Sequence, residues 1–210
     1  CMEKRSKRKN GSFHSLKELG AVLGNGSVFT RLSFVFMGFG QVARGQIVKG
    51  ILYFLTEAAF LLFMIFLGGR YIAHLFSGNL GTRLSGEVWN EELQIFEKTR
   101  GDNSFLILLY GVASILLIVL FLVVWAMNIK GSYENDKRRQ NGEAVRTFKD
   151  DVHRLLNEKF HVPLLTLPFL GLIVFTVMPL VFMVLIAFTN YDYVHMPPGR
   201  LFDWVGFANF

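Results

Sequence analysis

A single cysteine, Cys1, leaves this chain of 210 residues without an internal disulfide or a cysteine metal cluster. The five histidines, His14, His74, His153, His161 and His195, never pair at i, i+3 or i, i+4, so helical metal-ligand spacing is absent. There is no phosphate-cradling GxxxxGKS/T loop and no GxSxG nucleophile turn. Asp150 and Asp151 are adjacent, and neighbouring side chains diverge on a helix, which argues against paired acid–base work. These absences leave no catalytic, cofactor-binding or metal residue to nominate, and the expected cofactor set is none. Charge is scarce too: Asp, Glu, Lys and Arg are 18% of the chain, too few to coat an ordinary soluble domain.

Long apolar runs are what the chain has instead. Hydrophobic residues make up 52% of it, 22 of them phenylalanine. Residues 162–189 form 28 positions without a charge, 105–128 form 24 without one, and 51–69 form 19 with one, Glu57. A helix rises ~1.5 Å per residue, so about 20 residues cross a hydrocarbon layer ~30 Å thick. Each run is therefore predicted to span a membrane. Pro163, Pro168 and Pro179 fall in the last run. An interior proline removes a backbone donor and clashes with the preceding turn; a membrane helix packed among neighbours tolerates this. The expected fold is all-α: a multi-pass protein with three spanning helices and amphipathic interfacial helices.

The cations partition with these runs. Residues 1–50 and 129–161 hold seventeen Lys and Arg, against five in 70–104 and after residue 189. Positively charged loops stay cytoplasmic, which predicts the N-terminus and 129–161 inside, and 70–104 and 190–210 outside. The net charge of +6 is then mostly topology and needs no nucleic-acid partner. The organisation expected is a cytoplasmic arm and glycine-punctuated segment (1–50), spans at 51–69, 105–128 and 162–189, an extracellular loop (70–104), a cytoplasmic loop (129–161) and an extracellular segment (190–210). No short apolar run followed by a small-residue cleavage site precedes the first span, so a cleaved signal peptide is not expected. Cys1 stands before Met2 and reads as an addition to the natural chain. The alternative, a lipidated terminal cysteine, would put the basic N-terminus outside.

Several shorter features remain. Residues 2–12 are a basic arm, either an orientation signal or a contact for anionic lipid. Ser15-Leu-Lys-Glu18 fits a capping box for a short helix carrying Leu16, Leu19, Val22 and Leu23 along the interface. Residues 31–50 are semi-apolar, with Gly38, Gly40, Gly45 and Gly50, and suit a membrane-dipping helix or hairpin. Within them Gly38-Phe-Gly40-Gln-Val-Ala43 matches a dinucleotide fingerprint, yet the acid that fingerprint requires is found only as Glu57, inside a span. Glu57 reads either as a polar contact to another helix, proton or substrate, or as a tolerated glutamate hydrogen-bonded to a neighbour, the reading favoured here. Trp89 and Tyr71 suit interface anchors. Gly101-Asp-Asn-Ser104 is a turn and helix start, and Pro197-Pro-Gly199 a turn. Residues 142–160 place Val145, Phe148, Val152, Leu155, Leu156 and Phe160 on one face of an amphipathic helix. That helix either rests on the membrane or packs on a cytoplasmic partner.

Two phrases carry a resemblance. Pro179-Leu-Val-Phe-Met-Val-Leu-Ile-Ala-Phe-Thr-Asn-Tyr191, preceded by Leu167-Pro-Phe-Leu-Gly, and Trp204-Val-Gly-Phe-Ala-Asn-Phe210 together resemble the start of the core of carbohydrate ABC-transporter permeases. The stretch Phe36-Met-Gly-Phe-Gly-Gln41 with Lys49-Gly50-Ile51 resembles the N-terminal region of the larger membrane subunit of maltose/maltodextrin importers. The resemblance implies the N-terminal part of a permease whose partners are a second permease subunit, a cytoplasmic ATPase dimer, an extracellular sugar-binding protein and membrane lipid. The family's cytoplasmic EAA loop is missing: Glu57-Ala-Ala59 lies inside the first span and lacks the following glycine. The sugar-lining helices would follow Phe210, so the chain's end looks like a truncation and no substrate-binding residue can be carried over. The other function class open to such a chain is a small three-span anchor or scaffold recruiting cytoplasmic partners. The reading frame beyond Phe210 separates the two.

Overall fold

The computed structural model describes Val22, Gly24, residues 26–197 and residues 199–210, except the side chains of Val88, Trp89 and Thr99. The basic arm, Cys1, His14, the Ser15-Leu-Lys-Glu18 box with Leu16, Leu19 and Leu23, the Trp89 side chain and Pro198 lie outside the described residues. Three helices are long and apolar enough to cross a membrane: α3 (Ile47–Phe76), α4 (Ser104–Gln140) and α6 (His161–Ile186). Before them stand two short helical turns, α1 (Val28–Leu32) and α2 (Phe39–Val42). A hairpin of β1 (Gly86–Asn90) and β2 (Ile95–Thr99) follows α3, and α5 (Phe148–Leu156) precedes α6.

The helices do not end where the apolar runs end. Hydropathy reports which residues suit lipid, whereas a helix continues until something caps or breaks it. α4 runs twelve residues past Asn128 to Gln140. It stops at Gly142, whose φ of 70° few side chains tolerate, after Lys137, Arg138 and Arg139 have placed positive charge against its negative end. The amphipathic segment is helical from Phe148 rather than from residue 142, because Thr147 and Asp150 cap each other: Thr147 N donates to Asp150 Oδ2 at 2.9 Å and Asp150 N to Thr147 Oγ1 at 3.3 Å. Val145 thus precedes the helix.

The prolines of α6 are accommodated in sequence order. Pro163 occupies the first turn, where a missing N–H breaks no helical bond. Pro168 lies inside the helix, and a widened π-turn, Ile173–Val177, leads into Pro179 near the start of the last stretch. No part of the most apolar stretch of α6 is buried.

The chain divides into two compact units. The first holds the described residues up to Glu57 together with Val124–Asp150. In it the turns α1 and α2 fold against the C-terminal half of α4, and Gly38 lies against Gly50 so closely that a Cβ on Gly38 would run into the Gly50 carbonyl. The second unit holds Ala58–Val123 and Asp151–Phe210. Its apolar core is Leu75, Leu80, Ile107, Leu108 and Phe202, with Tyr71 and Trp204 packed on the margin. There Phe60 stacks on Phe121 at 3.9 Å between ring centres. The β1–β2 hairpin pairs Glu87 with Lys98 across the strands. Its turn is built by Asn90 Oδ1, which accepts from Glu92 N at 3.0 Å and Leu93 N at 3.2 Å.

Gly38 has φ 84°, a left-handed conformation that costs other residues on the order of 1–2 kcal/mol before any collision. Gly38→Ala is expected to lose more than that, as read by thermal unfolding in detergent. Gly171→Ala, where a Cβ meets open space on α6, is expected to lose nothing. Equal effects of the two would contradict the packing described.

Candidate functional site

Helix α4 carries Trp125, Asn128, Ser132, Asn135 and Asp136 at intervals of three and four residues, so they share one face. Opposite them, Thr30, Ser33, Gln41, Arg44 and Gln46 turn inward, and all five are buried. The two sets interlock as a clasp. Arg44 Nη2 lies 3.0 Å from Asp136 Oδ1, with side chains 1% and 9% exposed. The same guanidinium donates through Nη1 to Gly40 O and Ser132 Oγ at 2.8 Å, and its Nη2 stands 2.8 Å from Ser27 Oγ and Thr30 Oγ1. Asp136 Oδ2 accepts from Ser27 N at 2.7 Å and from Thr30 Oγ1 at 3.1 Å. Planar, permanently charged Arg suits this multidentate role better than Lys.

Higher along α4 the bonds run to backbone. Asn128 Oδ1 accepts from Gly38 N at 3.0 Å, Asn128 Nδ2 donates to Ser33 O at 3.0 Å, and Asn128 O accepts from Gln41 Nε2 at 2.9 Å. Trp125 Nε1 donates to Phe34 O at 3.0 Å while its ring meets Phe34 edge-on. Ser33 Oγ accepts from Gly40 N at 2.7 Å. At the base, Gln46 links Asn135 Nδ2 (2.8 Å) to the carbonyl of Arg146 (2.6 Å). Among the described residues, Gln41 Oε1 is the buried side-chain oxygen without a hydrogen-bond partner.

Glu57 has a defined partner: its Oε2 accepts from Met37 N at 2.8 Å. This is a bond to a neighbouring segment's backbone, the kind of contact the favoured sequence reading described. The fingerprint glycines are explained by packing. Gly38 abuts Gly50, and a Cβ on Gly40 would strike the hydroxyls of Ser132 and Ser33.

A second cluster gathers the two resembling phrases in the other unit. Thr189 pairs with Trp204 as an antiparallel bridge, and Asn190 N donates to Asp203 O at 3.1 Å. Trp204 Nε1 donates to Leu75 O at 3.1 Å, and Asp203 Oδ1 accepts from Leu80 N at 2.8 Å. Asn209 Nδ2 satisfies the carbonyls of Ala187 and Thr189 at 3.0 and 2.8 Å, beyond the last turn of α6. Phe105 meets Phe182, Tyr191 and Phe202 at centroid distances of 6.0, 4.8 and 5.1 Å. The Trp-to-Phe phrase thus closes the ends of α3, α4 and α6 into one cap.

The other sequence candidates stay apart. His153 bonds Asn157 at 2.7 Å, and His195 bonds Asp192 at 2.8 Å. His161 borders a shallow groove of about 590 Å³ along α6 as far as Leu172, lined mainly by apolar side chains. Among the described residues no three His, Cys, Asp or Glu side chains are grouped to hold a metal. Two carboxylates in the polar segments are held below their usual range by donated amides. Asp102 takes N–H groups from Thr82 and Arg83, and Asp192 takes those of His195 and Val194.

Both clusters join segments and replace water around polar backbone. Over 174 residues the chain is 28% identical to the maltodextrin transport system permease protein MalC of Streptococcus pneumoniae. It is 29% identical to the galactooligosaccharides transport system permease protein GanP and 30% to the maltodextrin transport system permease protein MdxF, both of Bacillus subtilis. Its relatives are sugar-transport permeases. Each match covers 82% of this chain and 36% (MalC), 37% (GanP) or 36% (MdxF) of the relative, so the chain spans a little over a third of their length. No family model and no solved structure matches. The matches agree with the resemblance read from residues 167–191 and 204–210.

A buried ion pair that loses one member leaves an uncompensated charge, at about 3–5 kcal/mol. Asp136→Ala is expected to cost that much in denaturant unfolding of the detergent-solubilised chain. The double variant Arg44→Met, Asp136→Leu should cost clearly less than the two single changes summed. Simple additivity would contradict a coupled clasp.

Proposed function

We propose that this chain is the N-terminal membrane portion of the larger permease subunit of an ABC importer for maltodextrins or related oligosaccharides. The match to sugar-transport permeases over 82% of its residues carries the reading. A span with three prolines and no buried apolar stretch supports it, because such a helix suits packing against further helices of a transport core. The chain's own work is to anchor and orient the subunit, and it performs no catalysis. Movement of sugar then falls to the rest of the permease with a second permease subunit, a cytoplasmic ATPase pair and an extracellular sugar-binding protein. The cation distribution supports a cytoplasmic N-terminus and 129–161 segment, with 70–104 and 190–210 outside.

Disruption of the full gene should abolish uptake of maltodextrins or galactooligosaccharides, with recovery on re-expression. Normal uptake of every oligosaccharide offered would favour the three-span scaffold instead. Reporter fusions should place residue 140 in the cytoplasm and residues 85 and 200 outside; a cytoplasmic signal at residue 85 would reverse the topology.

A further inference from the structure

Helix α4 serves as a ruler for the segment before the first span. Ser27 and Thr30 bond Asp136 near its end. Ser33 and Phe34 then bond Asn128 and Trp125, eight and eleven residues higher. Gly38 is still level with Asn128, but Arg44 is back at Ser132 and Asp136, and Gln46 at Asn135. Eleven residues of helix are about 16 Å. The segment climbs that far, turns over residues 34–38 and returns to the level where it began. Met37, at the turn, bonds Glu57, ten residues or about 15 Å into α3.

The hairpin is inverted relative to a soluble one. Thr30, Ser33, Gln41, Arg44 and Gln46 are buried against α4 and Arg31 near the base is exposed, while Val28, Phe29, Val35, Phe36, Phe39 and Val42 are 42–68% exposed. Water would favour the opposite arrangement. The exposed face runs on through Ile47 and Val48 into the apolar surface of α3. At its base α4 ends in Lys137, Arg138 and Arg139, the charge that anionic headgroups attract.

We propose that residues 27–46 are a re-entrant wedge in one leaflet of the bilayer, its outer face covered by phospholipid and its apex, Val35 and Phe36, deepest. It enters and leaves on one side, so it adds no crossing and leaves the three-span topology intact. The proposal rests on the reading of α3, α4 and α6 as membrane spans.

Spin labels on single cysteines test it, with Cys1→Ser as background. The chain is placed in vesicles of mixed phosphatidylcholine and phosphatidylglycerol. Labels at Val28→Cys, Val35→Cys, Phe36→Cys and Val42→Cys are compared by collision with oxygen and with a water-soluble nickel complex. All four positions are exposed, so the substitutions remove no buried group. The wedge predicts oxygen favoured severalfold at 35 and 36, with depth falling toward both 28 and 42. Nickel favoured at 35 and 36 overturns it, as does depth changing in one direction from 28 to 42. Poor access to both reagents also overturns it, since protein rather than lipid then covers the face; spin–spin broadening would identify a second copy. Leu117→Cys on α4 is the control. Lipid exposure there with water at 35 and 36 defeats the wedge alone, whereas water at both defeats the membrane reading.

Discussion

A backbone that leaves the helix while buried in protein or in a membrane must give its N–H and C=O groups to something other than water. The first unit is organised around that requirement. Four amides of the segment before α3, those of Ser27, Met37, Gly38 and Gly40, donate to side chains: Asp136, Glu57, Asn128 and Ser33. Carbonyls of Ser33, Phe34 and Gly40 receive side-chain donors in return from Asn128, Trp125 and Arg44. Each of these polar side chains would be a liability alone. Together they turn an irregular segment into one with its hydrogen bonds made internally, and the Arg44–Asp136 pair closes its open end.

The second unit meets the same requirement differently. Its spans stay helical through the π-turns at Met64–Gly68 and Ile173–Val177, and much of the demand falls at their ends. Beyond α6, the carbonyls of Ala187 and Thr189 are taken up by Asn209, and the carbonyl of Leu75 near the end of α3 by Trp204. Aromatic rings around Phe105 fill the space between. This gives a physical reason for the Trp-Val-Gly-Phe-Ala-Asn-Phe phrase. It is a cap whose donors match the acceptors that helices leave unsatisfied.

The spans were legible in the sequence because hydropathy over some twenty residues reports lipid compatibility directly. Their ends were not. Ser132 and Asn135 look like a loop to hydropathy, although their spacing with Trp125, Asn128 and Asp136 marks one face of a continuing helix. Reading that face against the matching rhythm of Thr30, Ser33, Gln41 and Arg44 was the available signal for the clasp. The β1–β2 hairpin was hidden in a polar loop because its strands are five residues each, too short for a firm alternation. Glu57 stood out as a lone charge in an apolar run, but its partner is an amide twenty residues away, and backbone partners leave no mark in residue types. The tail phrase was read by resemblance, and the geometry supplied its reason afterwards.

Hydrogen–deuterium exchange of the lipid-reconstituted chain, resolved to single amides, tests the central claim most directly. If side chains replace water for the irregular backbone, the amides of Ser27, Met37, Gly38 and Gly40 exchange as slowly as those in the middle of α4. Exchange at the rate of an open loop would contradict the account.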